Sequence, residues 1–104
     1  MHSLAINMKA LAYSETVLEG KWLFVGDKMV SDEATLRIEE LVVSYLIHVA
    51  TCKDGWAKLY RDPADGRYWE HTYPQSEMHG GGPPKLQVME HDAAAKRYGM
   101  RLDV

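Results

Sequence analysis

The sequence predicts an α+β fold: a mostly antiparallel β-sheet of about four to six short strands, with two helices packed on one face. Three observations lead to this prediction. Short strand-forming segments are separated by turn sequences, one longer segment repeats its apolar residues with helical periodicity, and an alanine-rich segment follows the last strand. The chain has 104 residues, which is enough for one domain and too few for two.

Residues 1–16 show no clear periodicity, and we expect them to form a flexible N-terminal arm. Such an arm would become ordered only against the body of the protein or against a neighbour. A single domain would then occupy residues 17–104. Because the arm carries little apolar surface, its deletion is expected to leave the fold intact.

The domain is predicted to begin with a short hairpin. Residues 22–25 are a run of apolar, strand-forming side chains. Gly26 and Asp27 then suit a two-residue turn, since glycine tolerates the positive φ that such turns require. Residues 28–30 would form the returning strand.

A helix is predicted over residues 32–46, with Ser31 or Asp32 as its N-cap. At about 100° per residue, one stripe collects the apolar side chains of Ala34, Ile38, Leu41, Val42 and Tyr45. The opposite face carries four acids around two aliphatic residues: Asp32, Glu33, Glu39, Glu40, Leu36 and Val43. A solvated helix face does not usually have this composition.

The second half of the chain is predicted to be mainly strands. They occupy residues 47–52, 56–61, 67–73 and 85–90, and a short helix follows at 92–98. The second and third of these strands should pair as an antiparallel hairpin with cross-strand aromatic contacts. Its aromatic residues are Trp56, Tyr60, Tyr68, Trp69 and Tyr73. Packing accounts for most of them, and the remainder, with Arg61 and Arg67, has the composition of an interface anchor.

Three motifs could carry chemistry, and each has a simpler explanation. The glycines at 80–82 lack the Lys and Ser or Thr that a phosphate-binding loop needs, so a loop lying close to a partner or to another backbone is favoured. The acids and histidines Glu70, His71, Glu77, His79 and His91 match no compact metal-ligand spacing. Glu70 lies among aromatic residues that could raise its pKa for acid catalysis, although Arg61 or Arg67 could equally neutralise it in an ion pair.

Composition and charge narrow the possible partners and the location. The net charge of −3 argues against non-specific nucleic-acid binding, and it suits a basic protein partner. No segment approaches the roughly 20 apolar residues of a membrane span, and residues 1–11 are not expected to act as a signal peptide, because no small-residue cleavage site follows a long apolar core. The single Cys52 cannot form an intrachain disulfide, which fits the cytoplasm.

The segments between residues 18 and 98 together resemble immunity protein family 27, which is found beside toxin genes in bacterial polymorphic and contact-dependent toxin systems. The segments that carry the resemblance are LEGKW at 18–22, RIEEL at 37–41, DGW at 54–56, LYRDP at 59–63, DGRYWE at 65–70 and TYPQSEMHGGGPP at 72–84. The run at 66–84 is the most specific, because so dense a string of Trp, Tyr, Gly and Pro rarely recurs by chance.

The resemblance implies a small cytoplasmic protein that binds one cognate toxin domain and blocks it stoichiometrically, without a cofactor and without catalysis. An acidic surface suits a basic, nuclease-type toxin. The candidate toxin-binding residues are Glu39, Glu40, Glu70, Glu77, Gly80, Gly81 and Gly82. The alternative hypothesis is a small metal-dependent or acid/base hydrolase that uses Glu70 and the nearby histidines.

Overall fold

The structure, a computed structural model, describes residues 10–53, 55–74 and 82–99. Seven strands and two helices form within these residues, and no helix among them is long and apolar enough to cross a membrane. In chain order the elements are β1 (Val17–Glu19), β2 (Trp22–Val25), β3 (Lys28–Ser31), α1 (Glu33–Ser44), β4 (Ile47–Thr51), β5 (Lys58–Arg61), β6 (Tyr68–Thr72), β7 (Lys85–Met89) and α2 (His91–Tyr98).

Five strands form one antiparallel sheet in the order β1-β7-β6-β5-β4, and β2 and β3 form a separate hairpin. The separate hairpin turns at Gly26 and Asp27, where the sequence predicts its turn. The predicted pairing of β5 with β6 also forms, with Tyr60 opposite Trp69. These pairings confirm the mostly antiparallel α+β fold.

The strand β1 is a feature that the sequence pattern does not reveal. It has three residues at the edge of the sheet, and it pairs with β7 so that Val17 lies opposite Gln87 and Glu19 opposite Lys85. Three residues are too few to show the alternation that identifies a strand. The position of β1 is therefore set by its distant partner strand.

Helix α1 begins at one of its two predicted caps. The Asp32 carboxylate accepts a hydrogen bond from the backbone N–H of Thr35 at 2.8 Å, which satisfies one of the unpaired donors of the first turn. Ile38 and Leu41 of the predicted stripe are fully buried. Ala34 is only half-buried, and Thr35 takes the third buried position of the helix.

The two helices pack on opposite faces of the five-stranded sheet, so the prediction that both lie on one face is wrong. Helix α1 packs through Ile38 in a cluster that contains Trp69. Helix α2 packs through Ala94 in a second cluster, with Leu59 and Tyr68. Because consecutive strand residues point to opposite faces, Tyr68 and Trp69 are buried beneath different helices.

Residues 10–16 pack against the domain, in contrast to the flexible arm expected from the sequence. Leu11 is only 7% exposed and belongs to the same cluster as α1. The Arg37 guanidinium donates two hydrogen bonds to the Glu15 carboxylate, at 2.6 and 2.9 Å. The Arg37 hydrogen bond lowers the pKa of Glu15, and the same pairing raises the pKa of Arg37. Residues 1–9 lie outside the described part of the chain, and for them a flexible arm stays a prediction.

Arg67 holds the same segment through its backbone carbonyls. The guanidinium donates hydrogen bonds to the carbonyl oxygens of Ala12 at 3.0 Å, Tyr13 at 3.2 Å and Glu15 at 2.8 Å. It also lies over the rings of Tyr13 and Trp69, 4.7 and 5.0 Å from their centroids, in cation–π contact. Arg67 therefore ties the N-terminal segment to the core.

Gly20 lies where the chain passes close to α1 and to the residues before β7. Its N–H donates to the carbonyl oxygen of Pro84 at 2.8 Å. A Cβ atom at this position would collide with the Thr35 hydroxyl and would lie 3.1 Å from Pro84. Only glycine fits so close an approach, which joins the start of the domain to the end of the segment 74–84, which we call the glycine-rich loop.

Candidate functional site

Acidic and aliphatic side chains share the outward side of α1. Because Ile38 faces the core, residues two or five positions away from it along the helix point into solvent. Leu36 is 56% exposed and Val43 is 81% exposed, and the two acids between them are also exposed. We call this surface the acidic helix face; it consists of Leu36, Glu39, Glu40 and Val43. It offers apolar contact and negative charge side by side.

Glu39 lies at the edge of this face, within electrostatic reach of Tyr73. Burial raises the pKa of Tyr73, and the negative charge of Glu39 raises it further. Tyr73 directly follows β6 and leads into the glycine-rich loop. The acidic helix face and the beginning of that loop are therefore neighbours.

Five rings form a continuous row on the face of the sheet that α1 covers in part. We call them the aromatic row: in order of contact, His48, Tyr60, His71, Tyr73 and Trp56. Successive ring centroids lie 5.5, 6.2, 5.1 and 6.2 Å apart, within the range of favourable aromatic contacts. The row runs from β4 across the sheet to the segment before β5.

The aromatic row ends in an exposed indole. Trp56 is 55% exposed, whereas Tyr60, Tyr68 and Trp69 are buried. The sequence-based interpretation divided these residues between packing and an interface, and the structure shows which residue lies at the surface. Arg67 serves a structural purpose here, because its guanidinium is engaged by the N-terminal segment.

His71 occupies the middle of the row and should make the fold sensitive to acid. Its side chain is buried, and burial together with the charge of Lys58 lowers its pKa to about 4. In the unfolded chain a histidine titrates near its ordinary value of about 6.5, so acidification protonates the unfolded state first. The stability that neutral His71 contributes is therefore complete above about pH 6.5 and is lost as the pH falls towards 4.

We expect the free energy of unfolding to fall by about 3 kcal/mol between pH 7 and pH 4 on account of His71. Urea unfolding of the parent and of His71→Gln at pH 7, 5.5 and 4.5 measures this loss, with His48→Gln as a control for an exposed histidine of the same row. Only in the His71→Gln variant should the free energy of unfolding depend less on pH than it does in the parent. Equal losses for the parent and His71→Gln would contradict the prediction.

Glu70 lies on the other side of the sheet from the acidic helix face. Its carboxylate accepts a hydrogen bond from the Tyr98 hydroxyl at 2.8 Å and pairs with Arg97 Nε at 2.6 Å. Both partners belong to α2. The negative charge of Glu70 raises the pKa of Arg97, while burial and then the hydrogen bond to Glu70 raise the pKa of Tyr98. The ion pair considered from the sequence therefore forms with Arg97, and not with Arg61 or Arg67.

The glycine-rich loop is only partly described. Glu77, Gly80 and Gly81 lie outside the described residues. Gly82 is buried and has a φ of 72°, a left-handed backbone conformation that residues other than glycine rarely adopt. Gly82 therefore fixes the path of the chain into β7.

In the described part of the chain, the groups of the alternative hydrolase hypothesis are divided between the two faces of the sheet, and His79 lies outside the described residues. Glu70 and His71 are consecutive on β6, so they point to opposite faces of the sheet. His91 lines a groove of about 710 Å³ at the end of the sheet, with Arg61 and Tyr68. Among residues 10–53, 55–74 and 82–99, no group of three or more His, Cys, Asp or Glu side chains is placed to hold a metal ion.

Comparison with known protein families identifies a match. Residues 24–90 match the sequence profile of the family described as Immunity protein 27. The matched region covers more than half of the chain and includes α1, the whole aromatic row and the glycine-rich loop. No curated protein and no solved structure matches the chain. The match confirms the resemblance found in the sequence, and the chain belongs to the Immunity protein 27 family.

Proposed function

We propose that this protein acts in the cytoplasm as a stoichiometric inhibitor that binds a basic toxin domain through the acidic helix face. Membership of the immunity family gives the chain a toxin-neutralising role in general. The observation that supports this particular surface is the exposure of Leu36 and Val43 beside Glu39 and Glu40. Aliphatic contact would add affinity, and the carboxylates would select a cationic partner.

A nuclease-type toxin suits the charge of this protein. Domains that act on nucleic acid neutralise phosphates with Lys and Arg, so they carry a basic surface. The immunity protein has a net charge of −3, and two of its carboxylates lie together on the acidic helix face. Complementary charge raises the association rate and disfavours wrong partners.

The glycine-rich loop would extend the same surface. Because the loop leaves the sheet at Tyr73, within electrostatic reach of Glu39, we propose that Glu77, Gly80 and Gly81 meet the toxin next to the acidic helix face. Glu70 and Gly82 would contribute less directly, since one holds α2 and the other is buried.

Reversing the charge of the acidic helix face should slow toxin binding. We expect Glu39→Lys with Glu40→Lys to lower the association rate by about tenfold at low salt, because a basic toxin is then repelled where it was attracted. Screening should shrink the difference as salt is added. Surface plasmon resonance with the toxin domain encoded by the neighbouring gene, over a salt series, measures the effect.

A matched control separates the effect of charge on the acidic helix face from the effect of the protein's net charge. Asp27→Lys with Glu90→Lys changes the net charge equally, at exposed positions on the β2–β3 hairpin and before α2. This control should associate faster than the α1 variant and should melt like the parent. Equal association rates for both double variants would reject the acidic helix face as the toxin site. If the parent neither binds the toxin nor restores growth when co-expressed with it, the proposed function itself is rejected.

A further inference from the structure

Trp56, at the exposed end of the aromatic row, is the most exposed of the three tryptophans of this chain. Trp69 is fully buried and Trp22 is half-buried, whereas Trp56 exposes 55% of its surface. Its ring meets Tyr73 edge-on, with centroids 6.2 Å apart and planes at 78°. Aromatic side chains held in place in this way lose little conformational freedom when a partner covers them, which is why tryptophan and tyrosine dominate interface energies.

This aromatic pair adjoins the acidic helix face. Tyr73 contacts the Trp56 ring, and it lies within electrostatic reach of the Glu39 carboxylate, which belongs to the helix that packs on this face of the sheet. Lys58 lies further along the same face, opposite His71 on the neighbouring strand. The negative charge is thus found at the Tyr73 end, and the positive charge towards the middle of the row.

We infer that Trp56 and Tyr73 form the apolar centre of the toxin-binding surface and that they receive an arginine side chain of the toxin, held by Glu39. The inference rests on the proposed function and specifies the chemistry of the partner at that site.

Arginine is the side chain that this combination fits best. Its planar guanidinium can stack on an aromatic ring while its N–H groups donate to a carboxylate, whereas lysine offers a compact point charge. Lys58 would repel a cation placed over the middle of the row. The toxin arginine is therefore expected at the Tyr73 end, between Trp56 and Glu39.

Substitution of Trp56 tests this inference. We expect Trp56→Ala to weaken toxin binding by about tenfold or more, chiefly through faster dissociation, as for a central interface tryptophan. Trp56→Phe keeps an aromatic ring against Tyr73 and should lose much less toxin affinity. Leu23→Ala, which shortens a half-exposed side chain on the β2–β3 hairpin, is the matched control and should bind like the parent. Melting temperatures verify that all three variants are folded.

The contact with Glu39 is tested by a double-mutant cycle. If one toxin arginine contacts both groups, the double variant Trp56→Ala with Glu39→Gln should lose less toxin affinity than the product of the fold-losses of the two single variants. Tryptophan quenching by acrylamide gives a direct readout of burial. The difference in quenching between the parent and Trp56→Phe should be large for the protein alone and small in the toxin complex.

The outcomes distinguish this inference from the proposed function. If the parent binds and neutralises the toxin but Trp56→Ala binds as tightly as the parent, the proposed function stands and this inference is overturned. The inference is also overturned if Trp56 stays equally open to acrylamide in the complex. If the fold-loss of toxin affinity in the double variant equals the product of the two single-variant losses, a shared arginine is excluded. If the parent binds no toxin, both fail.

Discussion

Replacing Trp69 with alanine is expected to lower the free energy of unfolding by about 3–5 kcal/mol, the usual cost of deleting a core aromatic ring. Trp69 is fully buried in the cluster beneath α1, where Ile38 and Leu86 are also fully buried. Its ring also supports the guanidinium of Arg67. Alanine would leave a cavity and would remove one of the surfaces on which that guanidinium lies.

The measurement is urea unfolding of Trp69→Ala beside Trp56→Ala. The second variant removes the same atoms from an exposed position of the same sheet region, so it should lose much less stability. In thermal melts we expect Trp69→Ala to lower the melting temperature by more than about 12 °C, given the usual entropy of unfolding for a domain of this size. Similar stabilities for the two variants would show that Trp69 is not part of the core.

Deleting residues 1–16 is expected to destabilise the fold by about 2–4 kcal/mol, which reverses the expectation from the sequence. The deletion removes the buried Leu11 and the carboxylate of Glu15 that pairs with Arg37. It also removes the carbonyl acceptors of Arg67 and the carbonyl of Thr16, which accepts from the Val88 N–H at 2.9 Å. Arg67 would keep its ion pair with Asp65 but lose three carbonyl acceptors, and Arg37 would lose its carboxylate partner; part-buried donors without acceptors are costly.

Thermal melting of three proteins tests the deletion. Removal of residues 1–8 keeps every one of these contacts and is the control, while removal of 1–16 should lower the melting temperature by more than about 8 °C. Toxin binding of the shorter protein should persist where it remains folded, because residues 10–16 lie outside the matched family region. An unchanged melting temperature for the longer deletion would mean that the N-terminal segment adds nothing to the core.

Local sequence predicted the elements whose signals lie within a few residues. The turn at Gly26 and Asp27 and the buried pair Ile38 and Leu41 were predicted correctly from spacing and residue type, and Asp32 is one of the two predicted N-caps. The acidic helix face follows from the same periodicity, because a helix fixes which residues point away from its buried side. The family was also recognisable from motifs within the chain.

The tertiary structure decided everything that depends on distant pairing. The edge strand β1 exists because of β7, and the two helices lie on opposite faces because alternate residues of β6 are buried on both sides. Sequence spacing does not encode which face a returning helix covers.

The candidate site shows the same division. That Trp56 and Tyr73 are aromatic is evident from the sequence, which also predicts that Trp56 begins a strand after the turn at 53–55; in the structure β5 begins at Lys58, and Trp56 lies in the segment before it. Their exposure and the approach of Glu39 to Tyr73 depend on how α1 crosses the sheet. The sequence by itself determined the elements other than β1, the acidic helix face and the family. Only the tertiary structure decided which arginines hold the N-terminal segment and which rings reach the surface, because those contacts join residues far apart in the chain.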